Sequence, residues 1–126
     1  MSSEVVLKYS MDEIKKDYVY VIIDCSPSPG MIEINVLAAC DSVIILVTPQ
    51  YLSDKGLKLW LRNIIRVKKR INSKIQVDRI LLTMYSDRMK LPKEVLAITQ
   101  ESYRRPIHIF ESKIPTSVKV REAKAP

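Results

Sequence analysis

The sequence predicts an α/β fold with a mainly parallel sheet and flanking helices. Three observations carry that expectation. Short apolar segments alternate with stretches of helical spacing along the chain. Those apolar segments do not alternate polar with apolar residues, which marks strands buried on both faces. The connections are short, and no internal repeat, low-complexity tract or interdomain linker interrupts them. Alternation of this kind favours parallel strands joined by right-handed crossovers. At 126 residues the chain fits a single domain over 1–126 and is long enough to bury a core without staples.

The elements follow in order. "SMDE" at Ser10–Glu13 reads as a capping box opening a short helix. Tyr18–Asp24, rich in valine and isoleucine, is the first strand. Gly30 frees the backbone ahead of a helix over Met31–Cys40, and Ser42–Val47 is the second strand. A long helix spans Lys55–Ile71, where Leu57, Trp60, Leu61, Ile64, Val67 and Ile71 recur at helical spacing. Arg79–Met84 is the third strand. Pro92–Tyr103 is a helix, with Pro92 suited to its first turn. Ile107–Phe110 is a fourth, shorter strand, and Thr116–Ala123 adds a turn or two of helix.

Composition narrows the function classes. The hydrophobic share of 47% is that of a soluble globular protein. No apolar run approaches a membrane span, and "MSSEVVLKYS" has no signal-peptide pattern. Cys25 and Cys40 lack metal-ligand spacing and read as free thiols. The net charge of +7 fits either a lysine-rich solvated surface or an anionic partner such as nucleic acid; charge alone does not choose. The chain has only two glycines, Gly30 and Gly56, far apart. A glycine-rich phosphate loop needs at least a close pair, so none is present.

The chemistry concentrates in "VYVIIDCSPSPG". Ligands of an open parallel sheet sit beyond the carboxyl ends of its strands, and Asp24 ends the first one. An acid there can hold Mg²⁺ through water near nucleotide phosphates; it can equally cap a loop or pair with a lysine. Pro27 and Pro29 stiffen the exit, and Ser26 and Ser28 offer hydroxyls. Such a rigid polar loop suits ligand sensing better than packing. His108 stands alone, so a nucleophile–histidine pair has no support. Asp24 raises the pKa of its neighbour Cys25, which argues against a reactive thiolate there. Trp60 and Phe110 read as core, and Tyr85 as a structural strand-end residue or a pocket wall.

"DYVYVIIDCSPSPGMIEINVLAACDSVIILVTPQ" resembles the ParA/Soj partition ATPases, cousins of MinD among the P-loop NTPases. The likeness runs on through "SDKGL", "ILLTMYSDRMKLPKEV" and "IPTSVKVREA", from about Tyr18 to Ala123 in one register. The resemblance implies a partial P-loop NTPase fold and lends roles to positions. Asp24 matches the acid that organises Mg²⁺ and the attacking water. Pro27, Ser28 and Gly30 match the switch loop that responds to the γ-phosphate. Asn35 lies on the helix that approaches the dimer partner. Thr83 and Met84 match the strand end near the nucleotide base, and Pro115 the turn on which adenine rests. Arg88 matches an arginine that contributes to non-specific DNA binding in some relatives.

The departures are equally specific. Ser26 and Pro29 rewrite the switch loop, and Thr116 and Ser117 replace a usual Arg-Asn pair. The family's "KGGVGKT" loop precedes the Asp24 strand by a long way in relatives, and few residues precede it here. The resemblance therefore implies the middle-to-late portion of a partition ATPase, without the phosphate loop or the C-terminal helices. It implies ATP and Mg²⁺ in the parent protein and no stable cofactor on this chain alone. It also implies DNA and a ParB-type centromere-binding protein as partners, no membrane, and a cytoplasmic, nucleoid-associated location. A non-catalytic DNA- or partner-binding module of the same descent is the alternative.

Two surfaces remain. Lys58, Arg62, Arg66 and Arg70 recur every fourth residue on the long helix, either as a solvated face or as a patch for DNA phosphates. Relatives place the phosphate-loop strand beside the Asp24 strand, so the resemblance also implies an exposed apolar edge here, and with it self-association.

Overall fold

The structure, a computed structural model, describes residues 2–25, 30–53, 55–85, 91–103, 105, 107–112 and 114–115. These group into two compact units interleaved along the chain, Met1–Val43 with Trp60–Gln76, and Ile44–Leu59 with Val77–Pro126.

In the first unit, a 3₁₀ turn over Ser3–Val5 leads into helix α1, Val6–Ile14. The Ser2 hydroxyl accepts the Glu4 backbone N–H at 3.4 Å, so the start signal is Ser2 rather than "SMDE". Ser10 lies inside α1, where its hydroxyl donates back to the Val6 carbonyl at 3.1 Å. A second 3₁₀ turn, Lys15–Asp17, ends at Tyr18 in extended backbone.

The expected strand Tyr18–Asp24 does not form. The segment joins no ladder with any described strand, and Val19, Tyr20 and Ile22 are 90%, 85% and 93% exposed. Local preference favours an extended segment, but a strand exists only through a neighbour's N–H and C=O groups, and none is supplied among the described residues.

Helix α2, Met31–Ala39, follows Gly30, whose carbonyl accepts the Ile34 N–H at 3.2 Å. Val36, Leu37, Ala38 and Ala39 are buried. The carboxyl end of α2 is held from outside. The Asn72 side-chain amide donates to the carbonyls of Leu37, Ala38 and Cys40 at 3.0, 3.3 and 2.7 Å. Lys15 Nζ donates to the Ala39 carbonyl at 3.3 Å. Helix-terminal carbonyls lack intrahelical partners, and a donor or cation there is favourable.

The remaining elements are β1 (Ser42–Val47), α3 (Pro49–Ser53), α4 (Gly56–Arg70), β2 (Gln76–Tyr85), α5 (Leu91–Tyr103), β3 (His108–Ile109) and β4 (Ile114–Pro115). The short α3 starts where Thr48 Oγ1 accepts the Tyr51 N–H at 3.0 Å and Pro49 occupies the first turn. Along α4 the expected positions Leu57, Trp60, Leu61, Ile64 and Val67 are all buried. Strand order is β1-β2-β3, with β4 on β2. β2 runs parallel to both β3 and β4, pairing Arg79 with His108, Ile80 with Ile109 and Thr83 with Ile114.

In the second unit, Val47, Leu57, Ile80, Leu82 and Val95 are buried. Each such side chain contributes about 1.5–3 kcal/mol against exposure. The Tyr103 hydroxyl accepts the Val77 N–H at 3.4 Å, tying the end of α5 to the start of β2. Arg79 stacks over the Phe110 ring at 5.3 Å, so Phe110 carries a cation–π contact.

Candidate functional site

Three expected base-side residues come together in the second unit. Parallel pairing of β2 with β4 sets Thr83 against Ile114 and Tyr85 against Pro115, with a bulge between the two pairs. The bulge falls on Met84, whose φ of 52° lies in the left-handed region. A non-glycine residue there is uncommon, and such strain recurs where a strand must re-aim its end. Met84, Ile114 and Pro115 are exposed and Thr83 is half-buried. The bulged end of β2 and the β4 turn thus present an open, mostly apolar ledge.

The acid side lies in the first unit. Asp24 is exposed at the end of the unpaired extended segment, and no described side chain binds it. Gly30 opens α2, as expected. Pro27 and Ser28 lie outside the described residues, as do Ser26, Pro29, Arg88, Thr116 and Ser117. Cys25 and Cys40 are free, half-buried thiols. Burial first, then the charges of Asp24 and Glu33, pushes the Cys25 thiol up. Burial first, then Cys25 and Asp41, does the same for Cys40, against an opposing pull from Lys15. Neither thiol is poised as a nucleophile.

Sequence reading missed Glu33. It sits in the first turn of α2 yet is 2% exposed, and its carboxylate accepts the Asn63 amide at 3.1 Å. Burial raises its pKa, and the Asn63 hydrogen bond partly offsets that. An acid flanked by Ile32 and Ile34, with Val36 and Leu37 three and four residues on, was the available signal. Asn35, expected near a dimer partner, is bonded within the chain. Its Oδ1 accepts the Leu7 N–H at 3.1 Å, and its Nδ2 donates to Ser3 and Met31 carbonyls at 2.8 and 2.9 Å. These bonds seat α1 on α2.

On α4, Arg62, Arg66 and Arg70 are exposed, whereas Lys58 is ion-paired with Glu101 at 3.7 Å. His108 is exposed on β3. Among the described residues, no group of three or more His, Cys, Asp or Glu is placed to hold a metal, and no helix is long and apolar enough to cross a membrane.

Residues 1–77 match the family described as "AAA domain". The sporulation initiation inhibitor protein Soj of Bacillus subtilis is 36% identical over 123 residues, covering 98% of this chain and 48% of that protein. The chromosome-partitioning ATPase Soj of Treponema pallidum is 36% identical over 120 residues, covering 95% and 47%. The chain belongs to the ParA/Soj-type partition ATPases of this AAA-domain family. It spans about half the length of the curated relatives it matches.

A solved relative fixes the fold. The cobyrinic acid a,c-diamide synthase of Mycobacterium smegmatis, with bound ADP and magnesium, superposes with a TM-score of 0.74 at 29% identity, over 94% of this chain and 47% of that one. The parallel sheet with its flanking helices is thus part of a P-loop NTPase fold. The expected α/β class and family stand.

Proposed function

We propose that this chain carries the magnesium-anchoring and base-contacting parts of a chromosome- or plasmid-partitioning ATPase. The identity with Soj over nearly the whole chain is the observation that carries this reading. The residues fit the cofactor in part. Mg²⁺ is commonly held by one or two carboxylates, several waters and the substrate's own phosphates, so the exposed Asp24 would supply one such carboxylate, through water. When bound with ATP, the ion polarises the phosphate and positions water for hydrolysis. Thr83, Met84 and Pro115 offer the ledge for the base. Gly30, with Pro27 and Ser28 before it in the sequence, would supply the switch that responds to the γ-phosphate.

With no close glycine pair to cradle phosphates, this chain alone does not hydrolyse ATP. In the whole assembly, ATP·Mg²⁺ binding drives dimerisation and non-specific DNA binding, and a ParB-type partner stimulates turnover at the nucleoid. Isothermal titration of the chain with Mg²⁺·ATP tests the assignment. Weak binding that Asp24→Asn and Pro115→Gly each diminish is expected. Mg²⁺-dependent hydrolysis by the chain alone, or no change in either variant, would overturn it.

The exposed arginines of α4 favour a second reading, a non-catalytic DNA- or partner-binding module. DNA retention at low salt that is indifferent to ATP would select it over the first.

A further inference from the structure

We infer that Arg79 and His108 form a surface site for a terminal phosphate group, near the start of β2 and away from the ledge of Thr83, Met84 and Pro115 at its other end. Parallel pairing sets Arg79 of β2 directly against His108 of β3. Partners in such a ladder lie about 4.8 Å apart and present their side chains to the same face of the sheet. Both residues are exposed. Arg79 is also braced, its guanidinium lying over the Phe110 ring at 5.3 Å. Phe110 is itself held in place, because its backbone N–H donates to the Ile80 carbonyl at 2.9 Å.

The charge of this face is uncompensated among the described residues. Asp78, next to Arg79 on β2, alternates to the opposite face. Glu111 is exposed beyond Phe110, but the ion pairs among the described residues are Lys16–Glu13 and Lys58–Glu101. Arg105, three residues before His108, is a further exposed cation. Stacking on an aromatic ring uses the flat side of a guanidinium and leaves its rim of N–H donors for an anion. Imidazole has an N–H donor whether neutral or protonated. A carboxylate has two oxygens, and a bidentate arginine engages both. A terminal phosphate has three, so one remains for the donor a strand away. Inorganic phosphate and a phosphate monoester share that chemistry.

His108 is the chain's only histidine, so its imidazole proton signals report on this site without further assignment. Proton NMR of the 126-residue chain, at constant pH and ionic strength, follows them through three titrations. The probes are inorganic phosphate, a 5′-phosphorylated single-stranded oligonucleotide and its 5′-hydroxyl counterpart. A saturable shift with either phosphate and none with the third probe is expected, and the tighter of the two phosphates identifies the source. Arg79→Gln should weaken binding about tenfold, the loss of a charge-assisted donor. Phe110→Leu keeps the charge, removes the brace and should weaken binding less. Circular dichroism confirms that each variant folds. No saturable shift with either phosphate, or a shift unchanged in Arg79→Gln, overturns the site. An equal shift with the 5′-hydroxyl strand assigns the pair to phosphodiesters and overturns the terminal-phosphate reading.

Discussion

The Asn63 side-chain amide lies 3.1 Å from the carboxylate of Glu33, an acid that the first unit buries almost completely. Because burial outweighs the hydrogen bond, the folded Glu33 carboxyl titrates above the ordinary carboxylate range. A folded pKa above the unfolded one makes the acid bind protons more tightly in the native state. Its stabilising contribution is therefore complete at low pH, below the unfolded pKa, and is lost as pH rises through the raised value. Glu33→Gln keeps an acceptor for Asn63 and removes that slope. Urea midpoints measured from pH 4 to 8 should show the wild type losing ground to Glu33→Gln as pH rises. Parallel curves would remove Glu33 from the pH response.

Asn72 should be among the most sensitive polar positions of the first unit. It ties the carbonyls of Leu37, Ala38 and Cys40 with one amide. Leaving those acceptors without a donor in Asn72→Ala costs about 1–3 kcal/mol. Asn72→Asp should be worse, since an acceptor then faces three acceptors. Equilibrium urea unfolding of both variants gives the ranking, and equal losses would point to packing rather than hydrogen bonding.

These two positions also show why some of the structure was legible in sequence and some was not. β1, α4 and α5 were readable because apolar spacing and a first-turn proline are local. Leu57, Leu61 and Ile64 fall on the buried face the spacing announced. Glu33 meets Asn63 and Asn72 meets Leu37 across some thirty residues, a separation no local pattern encodes. Tyr18–Asp24 failed for the same reason, since extended preference is local while strand pairing is not. β4 is two residues long, and its pairing depends on the bulge at Met84. Of the expected site, Thr83, Met84 and Pro115 share one ledge, while Asp24 lies in the other unit.

Met84 should reveal the cost of that bulge. Its φ of 52° suits glycine, so Met84→Gly relieves backbone strain, while β-branched Met84→Val aggravates it. A gain or near-neutrality for glycine and a loss of about 1–2 kcal/mol for valine are expected. Thermal unfolding ranks the two. Equal behaviour would mean that side-chain packing, not backbone conformation, governs this strand end.

Gly56 offers a steric counterpart. A Cβ there would run into the ring of Tyr51. Gly56→Ala gains helix propensity at the start of α4 but forces the ring aside, and overpacking typically costs about 1–3 kcal/mol. The steric term should dominate and lower the urea midpoint. A raised midpoint would show that the Tyr51 ring yields freely.

The basic face of α4 is the remaining test, and the Lys58–Glu101 pair sharpens it. A lysine already shared with an acid releases fewer DNA counterions than a free one, so Arg62, Arg66 and Arg70 should carry the salt dependence. Each phosphate contact on duplex DNA contributes about 0.9 to the slope of log affinity against log salt. Replacing the three arginines with glutamine should flatten that slope by nearly three such contacts, whereas Lys58→Gln should change it little. The same triple substitution removes like-charge neighbours spaced at one helical turn, each worth a few tenths of a kcal/mol (~0.2–0.5) of helix destabilisation. Loss of DNA binding should therefore come with unchanged or slightly raised stability. A slope that stays put while affinity falls would mean that the arginines act through structure, and no retention of DNA at low salt would leave the α4 face a solvated one.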